Sequence, residues 1–298
     1  MYLLHGKKIA LSIIIAFQNS EDGIEACLRA LHTQRNDTIE IIVVDSSGDS
    51  KIVEKILSYG VALISYPEMM SLPVLLGVGI AHSRGEVVAV TDAACVVEKN
   101  WIEEILKAHR SSSPAIGGAV EAGKIQGLLN WAAYFCDYGQ FMLPLFQGAA
   151  QELPGNNISF KKSLLDTGQE YVKNAFWKSY WCEKLKEEGV ELVSVPTIVV
   201  RYNKSFRLVR FLMRRVHHGR CFAGMRRISP LTRVYYILGS LALPAVFLFR
   251  IVRSILPKKR YLKEFMMSLP FSILAVVSWS VGEFWGYLNG MGNSCNKI

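Results

Sequence analysis

The chain of 298 residues is long enough for one large α/β domain and an appendage. Hydrophobic residues make up 51% of it, and the apolar runs concentrate after Arg233, which predicts a membrane-facing part rather than a larger core. Residues 1–200 hold 17 Lys and Arg against 23 Asp and Glu, whereas residues 201–298 hold 17 against 2. Those late cations flank long apolar runs and follow an acidic region, so the balance excludes a nucleic-acid binder and predicts anionic membrane lipid as the partner.

The first ten residues carry Lys7 and Lys8 and lead into an apolar run too short for a signal peptide. Residues 9–16 (IALSIIIA) therefore read as a strand, ending at a polar turn, with Ile24, Cys27, Leu28 and Leu31 at helical spacing behind it. Residues 39–44 (IEIIVV) form a second strand that stops at Asp45-Ser46-Ser47-Gly48, and residues 52–57 resume helical spacing. Residues 61–65 predict a third strand, 75–82 a helix, and 86–91 (EVVAVT) a fourth strand ending at Asp92. Alternation of this kind predicts a parallel sheet covered on both faces, because parallel strands need crossover connections that are usually helical.

Ligands of such sheets bind outside the carboxyl ends of the strands, where loop amides and helix N-termini converge. Three polar clusters fall there: residues 17–21, 45–49 and 92–95. Asp45 by itself reads more readily as a helix cap; three such clusters at three strand ends point instead to a shared site. The pair Gly77 and Gly79 lies inside a helix and has His82 where a dinucleotide fingerprint needs its third glycine. Neither a P-loop, nor zinc spacing, nor a nucleophile elbow is present. The six cysteines form no C-x-x-C pair and read as separate buried thiols in a reducing, cytoplasmic setting.

The order of LSIIIAFQNSEDGIEACLRAL, IEIIVVDSSGDS and GIAHSRGEVVAVTDAACVVEKNWIEEIL resembles the family 2 nucleotide-sugar glycosyltransferases over about the first 110 residues. GNNISFKKSLL and KLKEEGVELVSVPTIVVRY extend the resemblance to residue 202. It implies a GT-A fold, Rossmann-like with a mainly parallel sheet and flanking helices, and inverting transfer from a nucleotide sugar. A departing diphosphate needs a divalent cation or fixed positive groups, and an attacking hydroxyl needs a carboxylate to take its proton. By resemblance Asn19, Glu21, Asp45 and Asp92 contact the nucleotide, Asp92 being the first acid of an Asp-x-Asp element that binds Mg²⁺ or Mn²⁺. Asn156 and Asn157 contact acceptor or donor sugar by the same resemblance, or else cap a turn.

Two departures stand out. The second acid of Asp-x-Asp is Ala94, a methyl group that cannot ligate a hard cation. The register of the family's Glu-Asp base pair falls on Trp177 and Lys178, which leaves Glu170 as the nearest candidate base.

From Arg201 to Arg233 the chain holds ten Lys or Arg and no acid, with Arg207, Arg210 and Arg214 on one helical face. This predicts an interfacial amphipathic helix over 203–233. Within it His217, His218 and Arg220 resemble the basic element that lies near the diphosphate, where a guanidinium can bind phosphate bidentately. Residues 234–292 read as a membrane segment: 234–249 is short for a span and contains Pro244, while 265–282 is longer, extends past Glu283 and has Trp279, Trp285 and Tyr287 as belt residues. The basic loop between them favours a re-entrant first segment and one span, with a hairpin as the other arrangement. The expectation is a GT-A domain over 1–202, with C-terminal membrane-associated helices and the domain facing the cytoplasm. It would transfer sugar to a lipid-linked or cell-envelope glycan acceptor; the alternative is a degenerate, non-catalytic relative.

Overall fold

A computed structural model describes residues 8–18, 23–168, 175–226 and 228–298. It divides into two compact units, the first made of residues up to Lys124 together with Phe141–Lys204, the second of Ile125–Gln140 with Ser205–Ile298.

The first unit is built on a nine-stranded sheet: β1 Leu11–Phe17, β2 Ile39–Asp45, β3 Ala62–Ser65, β4 Val87–Asp92, β5 Cys95–Val97, β6 Ala115–Ala122, β7 Gly148–Ala149, β8 Asn157–Lys161 and β9 Leu192–Tyr202. The order is β3-β2-β1-β4-β8-β6-β9-β5, with β7 on β9. The pairs β1/β2, β1/β4, β2/β3 and β6/β9 are parallel, whereas β8 runs antiparallel to both β4 and β6. Strands β1 and β2 are buried at every position, as expected of strands covered on both faces. The helices are α1 Ile24–His32, α2 Ser50–Ser58, α3 Leu72–His82 and α4 Trp101–Ala108, and, in the second half of this unit, two more at Lys162–Thr167 and Lys178–Glu187. Helix α3 lies so close on β1 that a Cβ at Gly79 would stand 2.4 Å from Ile14 Cγ2, which gives that glycine a packing role.

At the N-terminal end of β4 the His109 ring is buried, with one nitrogen 2.9 Å from Ser159 Oγ and Nδ1 unpartnered. Burial, helped by the nearby Lys161 charge, pushes its pKa down to about 4. Unfolded His109 takes up a proton below its ordinary value of 6.5, while folded His109 stays neutral until about 4. Stability is therefore full above pH 6.5 and falls as pH drops toward 4, by about 3 kcal/mol for this group. Denaturant melts of wild type and His109→Gln across that window should show a shallower pH slope in the variant; parallel slopes would refute this role.

The second unit holds α5 Leu128–Tyr138 and, after α6 (Lys162–Thr167) and α7 (Lys178–Glu187) of the first, α8 Leu208–Met225, α9 Pro230–Gly239, α10 Leu243–Ile255 and α11 Leu262–Asn289. The aromatic set on α5 is core here: Trp131 stacks on Phe135 at 5.4 Å and meets Tyr261 at 4.9 Å. The buried face of α8 carries Phe211, Arg215, Gly219, Cys221 and Ala223, and Arg215 pairs with Asp137 of α5 at 2.7 Å. Val209 and Met213, away from that buried face, stay exposed. Helices α8 and α11 cross at glycines: a Cβ on Gly219 would lie 2.2 Å from Trp279 O, and one on Gly282 2.1 Å from Val216 O.

The 28 residues of α11 extend about 42 Å, longer than the ~30 Å hydrocarbon layer, and α11 is apolar enough to cross a membrane. Helices α9 and α10 form an apolar pair bent by 64°, the geometry of a broken span or a re-entrant loop. Glu283 inside α11 is satisfied by Trp279 Nε1 at 2.6 Å and by the Tyr287 hydroxyl at 3.2 Å. Cys221 and Cys295 form a disulfide, which corrects the expectation of six separate thiols; Cys27, Cys95, Cys136 and Cys182 are free. Gly282→Leu should force the α8–α11 crossing apart and lower the stability of this unit by about 2 kcal/mol or more, read as a lower melting temperature in detergent. An unchanged melting point would contradict the crossing.

Candidate functional site

The parallel register decides where the acidic residues go. Phe17 pairs with Asp45 and Ala16 with Asp92, so β2 and β4 deliver their terminal carboxylates to the same edge, on either side of the end of β1. Two strand spacings separate the two backbones by about 10 Å. Asn19 and Glu21, expected beside them, lie outside the described residues, as does Glu170.

Asp45 is fully covered. Its Oδ1 accepts from Ser47 N at 3.0 Å and its Oδ2 from Ser65 Oγ at 3.0 Å, so the carboxylate fastens the loop after β2 to the end of β3. Asp92 is half-buried, and its Oδ1 accepts from Ala94 N at 2.8 Å, closing an Asx turn. The Ala94 side chain is buried. No group of three or more His, Cys, Asp or Glu able to hold a metal occurs among the described residues. One carboxylate with a methyl group at the second position does not fit a protein-built Mg²⁺ or Mn²⁺ site.

Antiparallel pairing of β8 with β4 sets Asn157 opposite Thr91 and so places Asn156 beside Asp92. The two asparagines differ. Asn157 is consumed by the fold: Oδ1 accepts from Trp101 Nε1 at 2.8 Å, and Nδ2 donates to Ala119 O and Ile198 O at 2.8 and 2.9 Å. That geometry leaves it pinning β8 to β6, β9 and α4, with nothing to offer a sugar. Asn156 is also buried, but only its Nδ2 is engaged, at 3.2 Å from Cys95 Sγ, and its Oδ1 has no partner. The Cys95 thiol is raised well above its ordinary value by burial, then by the Asp92 charge, and stays protonated.

A further feature of this edge had no signal in the residue spacing. Lys178, at the start of α7, runs along Gly155, where a Cβ would meet Lys178 Cε at 3.7 Å, and its Nζ donates to Glu152 Oε1 at 2.7 Å. The lysine that stands where an acid was expected thus brings in a carboxylate from the loop before β8.

His217, His218 and Arg220 belong to the second unit and are engaged there. Arg220 Nε donates to Gly290 O at 3.0 Å and its guanidinium lies over the Trp285 ring; a His217 nitrogen lies 3.2 Å from Ser294 Oγ; His218 meets Trp279 edge-on. Burial, followed by the Arg214 and Arg215 charges, holds His218 well below its ordinary value and hence neutral. A cavity of about 480 Å³ lined by Arg84, His109 and Lys161 lies at the N-terminal end of β4, opposite the edge that carries Asp92.

Asn157→Ala should cost about 2–4 kcal/mol, because Trp101 Nε1 and two carbonyls would be left buried without partners. Chemical denaturation of the variant measures it, and a loss below about 0.5 kcal/mol would return Asn157 to the list of ligand contacts.

Comparison with known proteins agrees with this geometry. The chain is 29% identical over 137 residues to "Putative glycosyltransferase EpsH" of Bacillus subtilis (strain 168), a match spanning 45% of this chain and 37% of that relative's length. Among solved structures it is similar to the mannosyltransferase PcManGT from Pyrobaculum calidifontis in complex with GDP-Man and Mn²⁺, with TM-score 0.59 and 17% identity over 95% of this chain and 88% of that one. It is also similar to S. aureus TarS 1-349 in complex with UDP-GlcNAc, with TM-score 0.52 and 14% identity over 95% and 93% of the two chains. At those identities the likeness establishes the fold, which is of the GT-A kind. The model of the family described as "Glycosyl transferase family 2" matches residues 12–165, more than half of the chain, and the match includes Asp45, Asp92 and Asn156. The chain therefore belongs to glycosyl transferase family 2.

Proposed function

We propose that this protein transfers a sugar, with inversion, from a nucleotide-sugar donor to a lipid-linked or cell-envelope glycan acceptor at the cytoplasmic face of a membrane. The observation that carries the reading is the convergence of Asp45, Asp92 and Asn156 on the carboxyl edge of the sheet of a family 2 domain. In this reading Asp45 shapes the nucleoside wall from behind by holding the loop after β2. Asp92, more exposed, faces the ribose and diphosphate, and the buried Asn156 backs it from the start of β8. The relatives described with GDP-Man and UDP-GlcNAc support a nucleotide-sugar donor.

Membrane attachment rests on the length and apolar character of α11 and on the exposed Val234, Tyr235, Leu238 and Phe249 of the bent α9–α10 pair. The exposed Arg207 and Arg210, at the start of α8, fit an anionic headgroup layer. In this account His217, His218 and Arg220 order the C-terminal tail rather than meet the diphosphate.

A second reading is a non-catalytic member that binds nucleotide or a partner enzyme. The methyl group of Ala94 and the lysine at 178 favour it.

A screen of UDP-, GDP- and TDP-sugars with the full chain in detergent, with and without Mn²⁺, separates the two. Catalysis predicts that at least one donor binds and releases its nucleoside diphosphate, with Asp92→Asn weakening that binding about tenfold or more. Binding without turnover across donors and lipid acceptors would select the non-catalytic reading. Ala94→Asp should raise the dependence on Mn²⁺.

A further inference from the structure

We propose that Glu152 is the group that takes the proton from the acceptor hydroxyl, and that Lys178 positions it; this deepens the sugar-transfer reading and rests on it. Four carboxylates of the first unit deserve comparison. Asp45 is fully covered, with both oxygens held by Ser47 and Ser65. Glu121 is 3% exposed and accepts from Leu143 N. Asp92 closes the Asx turn onto Ala94 and, in the transfer reading, faces the donor. Glu152 is 38% exposed, on the loop that leads through Gly155 into Asn156.

Its place follows from strand pairing. Thr91 Oγ1 donates to Asn156 O at 3.1 Å, so Asn156 lies against the end of β4, and Gly155 is the next residue back toward Glu152. The Lys178 side chain runs along Gly155 and ends on Glu152 Oε1. Only Leu153, Pro154 and Gly155 separate Glu152 from Asn156, the residue beside Asp92.

Even a Cβ at 155 would stand in ordinary van der Waals contact with the Lys178 side chain, so the lysine packs directly along this loop. With its side chain 18% exposed, Lys178 is more covered than its partner, so it acts as a fixed post that holds Glu152 in place. Hydrogen bonding of one carboxylate oxygen to an ammonium is what a base needs to hold one orientation before the proton arrives.

The step balances without an added reagent. The acceptor oxygen forms a bond to the donor's anomeric carbon as that carbon's bond to the phosphate oxygen breaks. The hydroxyl proton goes to Glu152, and the bonding electron pair leaves with the nucleoside diphosphate.

The test uses the full chain in detergent, with nucleoside diphosphate release from UDP- and GDP-sugars as the turnover readout and UDP or GDP titration as the binding readout. Glu152→Gln should lower turnover about 100-fold or more, with nucleotide affinity unchanged within about threefold. Glu152→Asp should recover part of the rate. Lys178→Gln should move the acidic limb of the pH–rate profile upward by about one unit, because the carboxylate loses its cation; a purely structural ion pair would change stability and leave that limb in place. Wild-type turnover by Glu152→Gln, with binding intact, would overturn the assignment and leave sugar transfer standing. Wild-type protein that binds nucleotide but turns over no donor would overturn it as well, and wild-type protein that binds no nucleotide would remove the transfer reading along with it. Should Glu152→Gln fail to fold, an unmoved acidic limb in Lys178→Gln overturns the proposal, and an upward shift supports it.

Discussion

Parallel pairing of β1 with both β2 and β4 is the constraint from which the site follows. Parallel strands all end at one edge, so whatever polar residues terminate them must converge there. Here the residues are Asp45 and Asp92, offset by a single register position across β1. The helices that return the chain between strands also bury both faces of the sheet, and α3 can sit directly on β1 because Gly79 has no side chain to hold it off. A slip of one residue in β2 would turn Asp45 away from Ser65, and the loop after β2 would lose its fastening.

The antiparallel strand β8 completes that edge in a way the parallel strands cannot. It enters between β4 and β6 from the opposite direction, so its first residues, not its last, lie beside Asp92. Asn157 locks it there through three hydrogen bonds, while its buried neighbour Asn156 keeps an unpartnered oxygen. In the C-terminal unit close backbone approach plays the organising part: Gly219 and Gly282 let α8 and α11 meet backbone to backbone, a mode suited to helices with little hydrophobic drive between them in lipid.

The four leading strands and the acids at their ends were legible because they are local patterns: β-branched runs, each followed by a polar cluster and a helical spacing. The rest depends on pairings between distant residues. The position of β8 between β4 and β6 is a long-range choice with no periodic signature. The bond between Lys178 and Glu152 joins residues on either side of β8, so spacing alone shows a lysine where an acid was expected and gives no hint of the acid that meets it. Asn156 and Asn157 are adjacent in sequence and chemically identical, and only their neighbours in space separate a fold pin from a free acceptor. The Cys221–Cys295 disulfide spans 74 residues and escaped notice for the same reason, as did the grouping of Ile125–Gln140 with the C-terminal helices.

Charge is the remaining physical question at this edge. A nucleoside diphosphate brings several negative charges toward Asp92, and Ala94 withdraws one of the oxygens that a bridging cation would use. The central claim is that nucleotide nonetheless sits at the carboxyl edge of this sheet. Hydrogen–deuterium exchange of the full chain in detergent, with and without saturating UDP or GDP, tests it most directly. Slowed exchange confined to the loops after β1, β2 and β4 and to residues 152–157 is the result the account predicts; protection at the opposite end of the sheet, around Arg84, His109 and Lys161, would contradict it.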